Sequence, residues 1–221
     1  MIDTIIWDLD GTLLDTLDDL HESVNHALKQ HGLPLRSRQE IRRFLGNGIR
    51  NLIHQSVPDE LPEQDFEEVF KTFRTYYMAH SQIKTRPYNC VLETLAKLKT
   101  AGYKMAIVSN KVQEAVSDLH RRFFDKYITT AIGESEGIMR KPAPDMVYQA
   151  LRQLGSLKEH AVYIGDSEVD LLTAQRAEIN CISVLWGFRD EDYLIANGAK
   201  VFVRNPQEII ALLSPSVPSN A

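Results

Sequence analysis

Cysteine is scarce in this chain, which has two in 221 residues, Cys90 and Cys181. They show neither a CxxC spacing nor a neighbouring histidine pattern, which argues against a disulfide scaffold and against a cysteine-based zinc site. Two isolated cysteines in a chain of this size predict buried, reduced thiols and a cytoplasmic setting. The seven histidines also lack HExxH or any similar ligand spacing, so no histidine-bound metal is predicted.

Long hydrophobic runs are missing as well. No apolar stretch approaches the ~20 residues of a membrane-spanning helix, and the first ten residues carry Asp3, Asp8 and Asp10, which signal and transit peptides avoid. The net charge of −5 disfavours nucleic acid or an anionic membrane as the main partner. Hydrophobic content of 43% and charged content of 25% are ordinary for a soluble globular protein. Oligomeric state stays open.

The most informative segment is residues 4–16, with the sequence TIIWDLDGTLLDT. Its β-branched and aromatic start predicts a buried strand that ends at Asp8, and Gly11 predicts a sharp turn. Side chains two positions apart in extended backbone share a side, so Asp8 and Asp10 are expected to point the same way. Their charges repel, and a divalent cation or one shared proton would relieve this. The alternative, an acidic turn that caps the next helix, suits a lone DxD better than this context.

Residues 16–82 are predicted to be helical throughout. Ser37 and Glu40 have the spacing of a capping box, which predicts that a helix starts there. The glycines of the Gly46-Asn47-Gly48 loop interrupt this helix. A further helix at residues 65–80 places its apolar residues on one stripe. Because this stretch contains no convincing strand, it is interpreted as a small all-helical unit.

From residue 83 onward, helices and strands alternate. Helical segments separate five predicted strands, at residues 105–108, 127–132, 161–164, 181–185 and 200–203. Such alternation indicates a doubly wound, Rossmann-like parallel sheet. We therefore expect an α/β core of residues 1–15 and 83–221, with a helical cap of residues 16–82 inserted after the first strand. Ligands of such folds bind at the carboxyl edge of the sheet, so the cap is placed to act as a lid.

Several chemically active residues are expected at that edge: Asp8, Asp10, Ser109, Asn110, Lys141, Asp166 and Asp170. Phosphoryl transfer requires a nucleophile, neutralisation of the phosphate oxygens, and a positioned acid or base. Asp8, the first residue after the strand, is the predicted nucleophile, which would form an aspartyl phosphate. Asp10 is then predicted to protonate the leaving oxygen and later to activate water.

A cation is predicted for the same site. Three carboxylates would repel an incoming phosphate, and Mg²⁺ takes oxygen ligands, so Asp8, Asp166 and the backbone carbonyl of Asp10 suit it. Asp170 is expected to support these ligands from behind. Lys141 stands between Arg140 and Pro142, and the prolines of this loop can hold its side chain inward.

The substrate is predicted to be a small phosphorylated metabolite. Ser109 and Asn110 end a strand just before a helix, where a hydroxyl and free N–H groups can hold phosphate oxygens. Arg50 follows the Gly46-Asn47-Gly48 loop and is expected to recognise a second anionic group of the substrate, beyond the transferred phosphate. The alternative for Arg50 is an exposed helical arginine, since most arginines are solvated.

The motifs resemble those of one family. D-L-D-G-T-L-L-D-T resembles the first signature of the haloacid dehalogenase-like (HAD) hydrolases, most of which are Mg²⁺-dependent phosphatases. Ser109 is similar to the second motif, Lys141 to the third, and G-D-S-E-V-D, with Asp166 and Asp170, to the fourth. The helical unit resembles the family's C1 cap. The segments R-K-P-A-P-D, F-L-G-N-G-I-R and V-L-W-G-F look most like phosphoglycolate phosphatases and their relatives. The resemblance covers nearly the whole chain.

Other activities stay open beside the phosphatase. Similar phosphosugar mutases commonly place Glu-Asp in the fourth motif, whereas this chain has Gly165-Asp166, which favours hydrolysis. A haloacid dehalogenase is disfavoured because Asp10 is present. A catalytically silent binding protein on this fold would be expected to have lost at least one of four residues, and none is missing. These four are Asp8, Asp10, Lys141 and Asp166. The substrate itself is open between phosphoglycolate, pyrophosphate and small sugar phosphates.

Overall fold

The structure, a computed structural model, describes residues 1–213 of the chain. Within them, the strands are β1 Thr4–Trp7, β2 Leu14–Asp15, β3 Arg86–Pro87, β4 Lys104–Val112, β5 Thr130–Glu134, β6 Ala161–Gly165, β7 Asn180–Val184 and β8 Phe202–Val203. The helices are α1 Leu17–Gln30, α2 Arg38–Phe44, α3 Gly48–Ser56, α4 Glu63–His80, α5 Val91–Thr100, α6 Gln113–Phe123, α7 Asp145–Leu154, α8 Glu168–Arg176, α9 Glu191–Ala196 and α10 Gln207–Leu213.

The first strand lies at the centre of the main sheet. This sheet is parallel and six-stranded, in the order β5-β4-β1-β6-β7-β8, which confirms the predicted α/β fold class. Trp7 of β1 is level with Ile107 of β4 and with Ile164 of β6. Strands β1 and β6 end close to this level, β4 continues beyond it, and Asp8, Ser109 and Asp166 each lie within two residues of it.

Helices cover both faces of the sheet. Ile5 and Trp7 belong to a hydrophobic cluster that includes Leu95 of α5, whereas Ile6 belongs to one that includes Met146 of α7. Successive side chains of a strand point to opposite faces, so β1 contributes to both clusters and its four residues are all buried. A strand buried on two sides has the continuous apolar composition that the sequence shows.

The helices α1–α4 have a hydrophobic cluster of their own. The predicted capping box starts α2, where Ser37 and Glu40 cap each other's backbone N–H groups. The short antiparallel pair of β2 and β3 lies where the chain leaves the sheet and where it returns to it. On this basis we propose a core of residues 1–15 and 83–221 and a cap of residues 16–82. The last eight residues of that core, 214–221, lie outside the described part of the chain.

Three elements differ from the sequence-based prediction. Helix α9 and the β2–β3 pair are absent from the prediction because elements this short contain too few residues for a periodic pattern. Strand β4 extends to Val112, four residues beyond its predicted end, since Val112 pairs with Glu134 of β5 after an irregularity in register. This extension places Ser109 inside the strand and not after it.

The two cysteines are both free, but the prediction that they are buried is wrong for Cys90. Cys90 is exposed and has a left-handed φ of 64° just before α5. Cys181 is half-buried in β7, and burial raises the pKa of its thiol. None of the helices within residues 1–213 is both long enough and apolar enough to cross a membrane.

Candidate active site

The turn after β1 lies directly against the end of β6. Asp8 is buried, and its backbone N–H donates to the carbonyl of Ile164. Gly11 follows with a φ of 92°, and a Cβ at this position would lie 2.4 Å from Asp166 Oδ2. Only glycine therefore permits this close approach, which is the physical reason for the DGT sequence of the turn.

A buried lysine, Lys141, connects the residue that follows β1 to residues of β6 and α8. Lys141 Nζ lies 2.5 Å from Asp8 Oδ1, 2.8 Å from Asp170 Oδ1 and 3.1 Å from the Tyr163 hydroxyl. The Tyr163 hydroxyl in turn donates to Asp170 Oδ1 at 3.0 Å. Lys141 and both carboxylates are buried, so their charges interact with little screening from solvent. The proposed third-motif lysine is thus placed beside the proposed nucleophile.

The carboxylates around Lys141 carry more negative charge than it can offset. Oxygens of Asp8, Asp166 and Asp170 lie within 4.8 Å of one another. Burial raises the pKa of Asp8; Lys141 opposes this shift, repulsion from Asp170 and Asp166 adds to it, and the pKa stays well above its usual range. Burial and the Asp170 charge raise the pKa of Asp166 to about 7. A cluster of hard oxygen donors short of positive charge fits Mg²⁺.

Hydrogen bonds distinguish the members of this cluster. Both oxygens of Asp170 already have donors: Oδ1 accepts from Lys141 and Tyr163, and Oδ2 accepts from the N–H (3.1 Å) and hydroxyl (2.7 Å) of Ser167. Asp166 accepts from the backbone N–H of Phe188 at 2.6 Å and, more weakly, from the Thr12 hydroxyl at 3.4 Å. Asp170 therefore has less capacity left for a metal ion than Asp8 or Asp166 has.

The strand β4 brings its polar end to the same cavity. Ser109 is buried, and its hydroxyl oxygen accepts from the backbone N–H of Lys111 at 3.1 Å. Asn110 donates to the carbonyl of Lys141 at 3.0 Å and, at 3.5 Å, to that of Gly46 in the cap. Both predicted residues line the cavity. The Asn110 side chain holds the Lys141 loop and the cap loop together.

Two residues that the sequence analysis did not select, Lys111 and Tyr77, form a chain of contacts that leads to Asp10. Lys111 Nζ lies 3.0 and 3.3 Å from the two carboxylate oxygens of Asp10 and 2.8 Å from the hydroxyl of Tyr77. Tyr77 belongs to α4 of the cap, so the cap reaches the predicted acid through Lys111. A signal for Lys111 was present, because residues two apart in a strand share a face and Lys111 follows Ser109 by two positions.

The cap closes the cavity from above. The free space of the cavity is small, about 70 Å³. The cap residues that line the cavity are Leu20, Leu45, Gly46, Gly48, Ile49 and Leu52. Glycine at position 48, with a φ of 82°, also leaves room for the guanidinium of Arg140. The predicted role of the Gly46-Asn47-Gly48 loop in facing the ligand is consistent with this lining.

Arg50, unlike the other predicted site residues, lies away from both the cavity and the carboxylate cluster. Its guanidinium forms ion pairs with Glu63 and Glu67 of α4 and lies 4.9 Å and 5.3 Å from the ring centroids of Phe66 and Phe70. Since residues one apart on a helix are rotated by about 100°, the inward direction of its neighbour Ile49 turns Arg50 toward α4. Its observed contacts are those of an arginine that joins two cap helices.

Two arginines connect the cap to the core. Arg189 pairs with Glu168 through two hydrogen bonds, of 2.7 and 3.0 Å, and also donates to the carbonyls of Arg42 (3.2 Å) and Leu45 (2.6 Å) at the end of α2. Arg42 donates in return to Asp190 at 2.9 Å and to the carbonyl of Gly187 at 3.1 Å. These contacts cross from the proposed cap to the core, so they hold the cap against the core.

Comparisons with known proteins agree with the geometry. The profile of the Haloacid dehalogenase-like hydrolase family matches residues 5–184. A phosphoglycolate phosphatase of Aquifex aeolicus is 31% identical over 83% of this chain and 85% of its own. The pyrophosphatase PpaX of Oceanobacillus iheyensis is 28% identical over 97% of this chain and 98% of its own.

A solved structure is also similar. It is the crystal structure of a protein from Lactobacillus delbrueckii subsp. bulgaricus that has been provisionally assigned as a phosphoglycolate phosphatase. The TM-score is 0.90 at 34% sequence identity, and the match covers 94% of this chain and 96% of that one. The likeness therefore extends over both the sheet and the helical cap.

Proposed function

Since this chain belongs to the haloacid dehalogenase-like hydrolases, we propose that it is a phosphatase of small phosphorylated metabolites such as phosphoglycolate. The observation that supports this most strongly is the buried Lys141 ammonium between Asp8 and Asp170, beside Asp166. This arrangement provides a carboxylate and a cation at one point of the cavity, which phosphoryl transfer requires. The cavity's small volume favours a small substrate.

In this proposal Asp8 is the nucleophile. One of its oxygens accepts from Lys141, which orients the carboxylate and favours its ionised form. Asp8 attacks the phosphorus, so a bond forms between its oxygen and phosphorus while the bond to the leaving oxygen breaks. The product of this step is an aspartyl phosphate and a free alcohol or carboxylate-bearing leaving group.

Asp10 moves the protons. It donates one to the leaving oxygen and then takes one from the water that attacks the aspartyl phosphate, which releases inorganic phosphate and restores Asp8. Ser109 and the backbone N–H groups near it hold the phosphate oxygens during both steps, and the positive charge of Lys141 offsets part of the negative charge that gathers there. Asn110 keeps Lys141 in place through the hydrogen bond to its carbonyl.

Mg²⁺ is part of the proposal, with Asp8, Asp166 and the backbone carbonyl of Asp10 as protein ligands. When bound, it neutralises the charge that the carboxylates and the phosphate bring together. Asp170 supports this site without coordinating the metal, because its oxygens are taken up by Lys141, Tyr163 and Ser167. We also propose a cytoplasmic setting, which the two unpaired cysteines support.

Pyrophosphate is the second candidate substrate, because the relative from Oceanobacillus iheyensis is named as a pyrophosphatase. The test is phosphate release from a panel that contains phosphoglycolate, pyrophosphate, small sugar phosphates and p-nitrophenyl phosphate, ranked by kcat/KM. Each is assayed with Mg²⁺ and with excess EDTA after dialysis. Asp8→Asn serves as the matched variant, because an amide of the same shape cannot attack phosphorus.

The expected result is Mg²⁺-dependent release that Asp8→Asn lowers by several orders of magnitude. Asp10→Asn should lower kcat by roughly 10²–10⁴-fold, the range of a proton-transfer role. Full activity in EDTA, or more than about a hundredth of the wild-type kcat in Asp8→Asn, would contradict the mechanism. Return of the phosphoryl group to a sugar would identify a mutase, and inactivity on every substrate would indicate a silent binding protein.

A further inference from the structure

The cavity contains a second buried cation that the mechanism above does not use. Of the described residues that line the cavity, two are cationic, Lys141 and Lys111. The side chain of Lys111 is 7% exposed. Its ammonium forms an ion pair with Asp10 at 3.0 Å, so Lys111 brings a positive charge to the cavity.

The two lysines differ in which groups occupy their donors. An ammonium has three N–H donors, and Lys141 has three partners in Asp8, Asp170 and Tyr163. Lys111 also has three oxygen partners, Asp10 Oδ1 at 3.0 Å, Asp10 Oδ2 at 3.3 Å and the hydroxyl of Tyr77 at 2.8 Å, but two of them belong to one carboxylate. A ligand oxygen in the cavity can therefore replace the longer contact while Lys111 keeps its ion pair with Asp10.

The position of Lys111 indicates which part of the substrate would contact it. Asp10 protonates the leaving oxygen, so the atoms bonded to that oxygen must lie next to Asp10. Lys111 Nζ is 3.0 Å from Asp10 Oδ1 and lines the same cavity, so it is placed beside this part of the substrate. In phosphoglycolate, one methylene carbon separates the bridging oxygen from the carboxylate, which is a length that brings the carboxylate within reach of Lys111.

Other cations near the cavity are already committed or lie outside it. Arg189 is held by Glu168 and by two carbonyls of the cap. Arg50 is paired with glutamates of α4. Arg140 is exposed and does not line the cavity, although its guanidinium lies close to Gly48. A second anion of the substrate, once inside, therefore meets Lys111.

We propose that Lys111 binds a second anionic group on the leaving side of the substrate, and that the cap residue Tyr77 positions Lys111 for this contact. The substrate class is then a phosphate compound with a carboxylate, or another anion, one or two atoms from the bridging oxygen. This inference rests on the proposed phosphatase function and names the residue that selects its substrate. Closure of the cap brings Tyr77 to Lys111, so selection requires the closed cap.

The test compares two esters of equal size. Ethyl phosphate carries a methyl group where phosphoglycolate carries its carboxylate, so the ratio of their kcat/KM values isolates recognition of the second anion. Lys111→Met should lower this ratio by roughly 10–100-fold, the scale of one charged hydrogen bond. Loss of the contact to Asp10 affects both esters equally and cancels from the ratio. Arg140→Met, which removes an exposed cation outside the cavity, should leave the ratio unchanged.

Tyr77→Phe tests the positioning role. It removes the hydroxyl while it keeps the ring in the cap, and it should raise KM for phosphoglycolate more than for ethyl phosphate. Lys111→Arg should restore part of the preference that Lys111→Met loses. Should Lys111→Met fail to fold, Tyr77→Phe and Lys111→Arg still decide the matter, because a preference that neither variant changes overturns the proposal.

Binding provides a measurement free of turnover. Phosphonoacetate and ethylphosphonate differ by the same carboxylate and are not hydrolysed by this route; calorimetry with Mg²⁺ should show that Lys111→Met removes the preference for phosphonoacetate. Equal losses on both members of either pair would overturn the role of Lys111. If the wild type hydrolyses both esters with no preference for phosphoglycolate, this inference alone fails. If it releases phosphate from no ester, the proposed function fails with it.

Discussion

Lys141 donates a 2.5 Å hydrogen bond to Asp8, although 133 residues separate them in the chain. The same ammonium contacts Asp170 at 2.8 Å, so one cation connects the carboxylate that follows β1 to a carboxylate in the first turn of α8. We expect both catalysis and folding to depend on this contact, because the three groups are buried. Its removal should therefore show in the free energy of unfolding as well as in turnover.

The first prediction concerns Lys141→Met. The variant leaves two buried carboxylates without their cation, so it should lower the free energy of unfolding by about 3–5 kcal/mol in the absence of Mg²⁺. It should also lower kcat more than it raises KM, since Lys141 acts on the charge around Asp8. Urea unfolding and steady-state kinetics measure the two effects. Lys104→Met, which removes an exposed lysine of β4, is the control and should change neither quantity much.

A second prediction follows from the acidic cluster and its need for a cation. Mg²⁺ should raise the melting temperature of the wild type, because an ion that binds only the folded state stabilises it, by ≈ 2.7 kcal/mol at a concentration of 100 Kd. Asp166→Asn should abolish most of this shift together with activity. Asp192→Asn removes an exposed acid of α9 and should retain the full shift. If the melting temperature of the wild type is the same with and without Mg²⁺, the predicted metal site is contradicted.

Arg50 provides a third prediction, in which the structure and the sequence-based hypothesis disagree. Arg50→Ala removes ion pairs to Glu63 and Glu67 and the contact with Phe66. We expect a small fall in melting temperature and equal changes of kcat/KM on phosphoglycolate and ethyl phosphate. Glu67→Gln should produce part of this fall, because it breaks one of the two ion pairs from the other side. A fall in kcat/KM on phosphoglycolate but not on ethyl phosphate would support the sequence-based hypothesis that Arg50 recognises the substrate.

Much of the site was predictable because a parallel sheet brings strand ends to one edge. Asp8 and Asp166 each follow a short apolar run that marks a strand, and the register places them together. Lys141 was harder, because it lies on the long connection between β5 and α7 and no periodic pattern shows which way such a segment runs. Its selection depended on its flanking prolines and on the family's third motif.

The contacts between cap and core were not predictable in the same way. Helical spacing places Tyr77 on the apolar stripe of α4, but its contact with Lys111 depends on the angle at which the cap meets the core. In the sequence, Arg42 and its neighbour Arg43 look like two adjacent arginines on a helix surface. In the structure, however, Arg42 reaches Asp190 and Gly187. Long-range geometry of this kind is set by packing between domains, on which local sequence carries little information.

Phe188 gives the closed cap a consequence for the metal ion. Its ring belongs to the hydrophobic cluster of the cap, while its backbone N–H holds Asp166 Oδ2 at 2.6 Å. An opening of the cap that withdraws the ring would also displace the amide that orients Asp166, the proposed metal ligand. Metal affinity and cap closure are then thermodynamically linked, and by reciprocity each favours the other to the same degree. When the cap opens to release the product, the affinity for Mg²⁺ would therefore fall. A Phe188→Ala variant tests this, because it should bind Mg²⁺ more weakly although the proposed metal ligands themselves are unchanged.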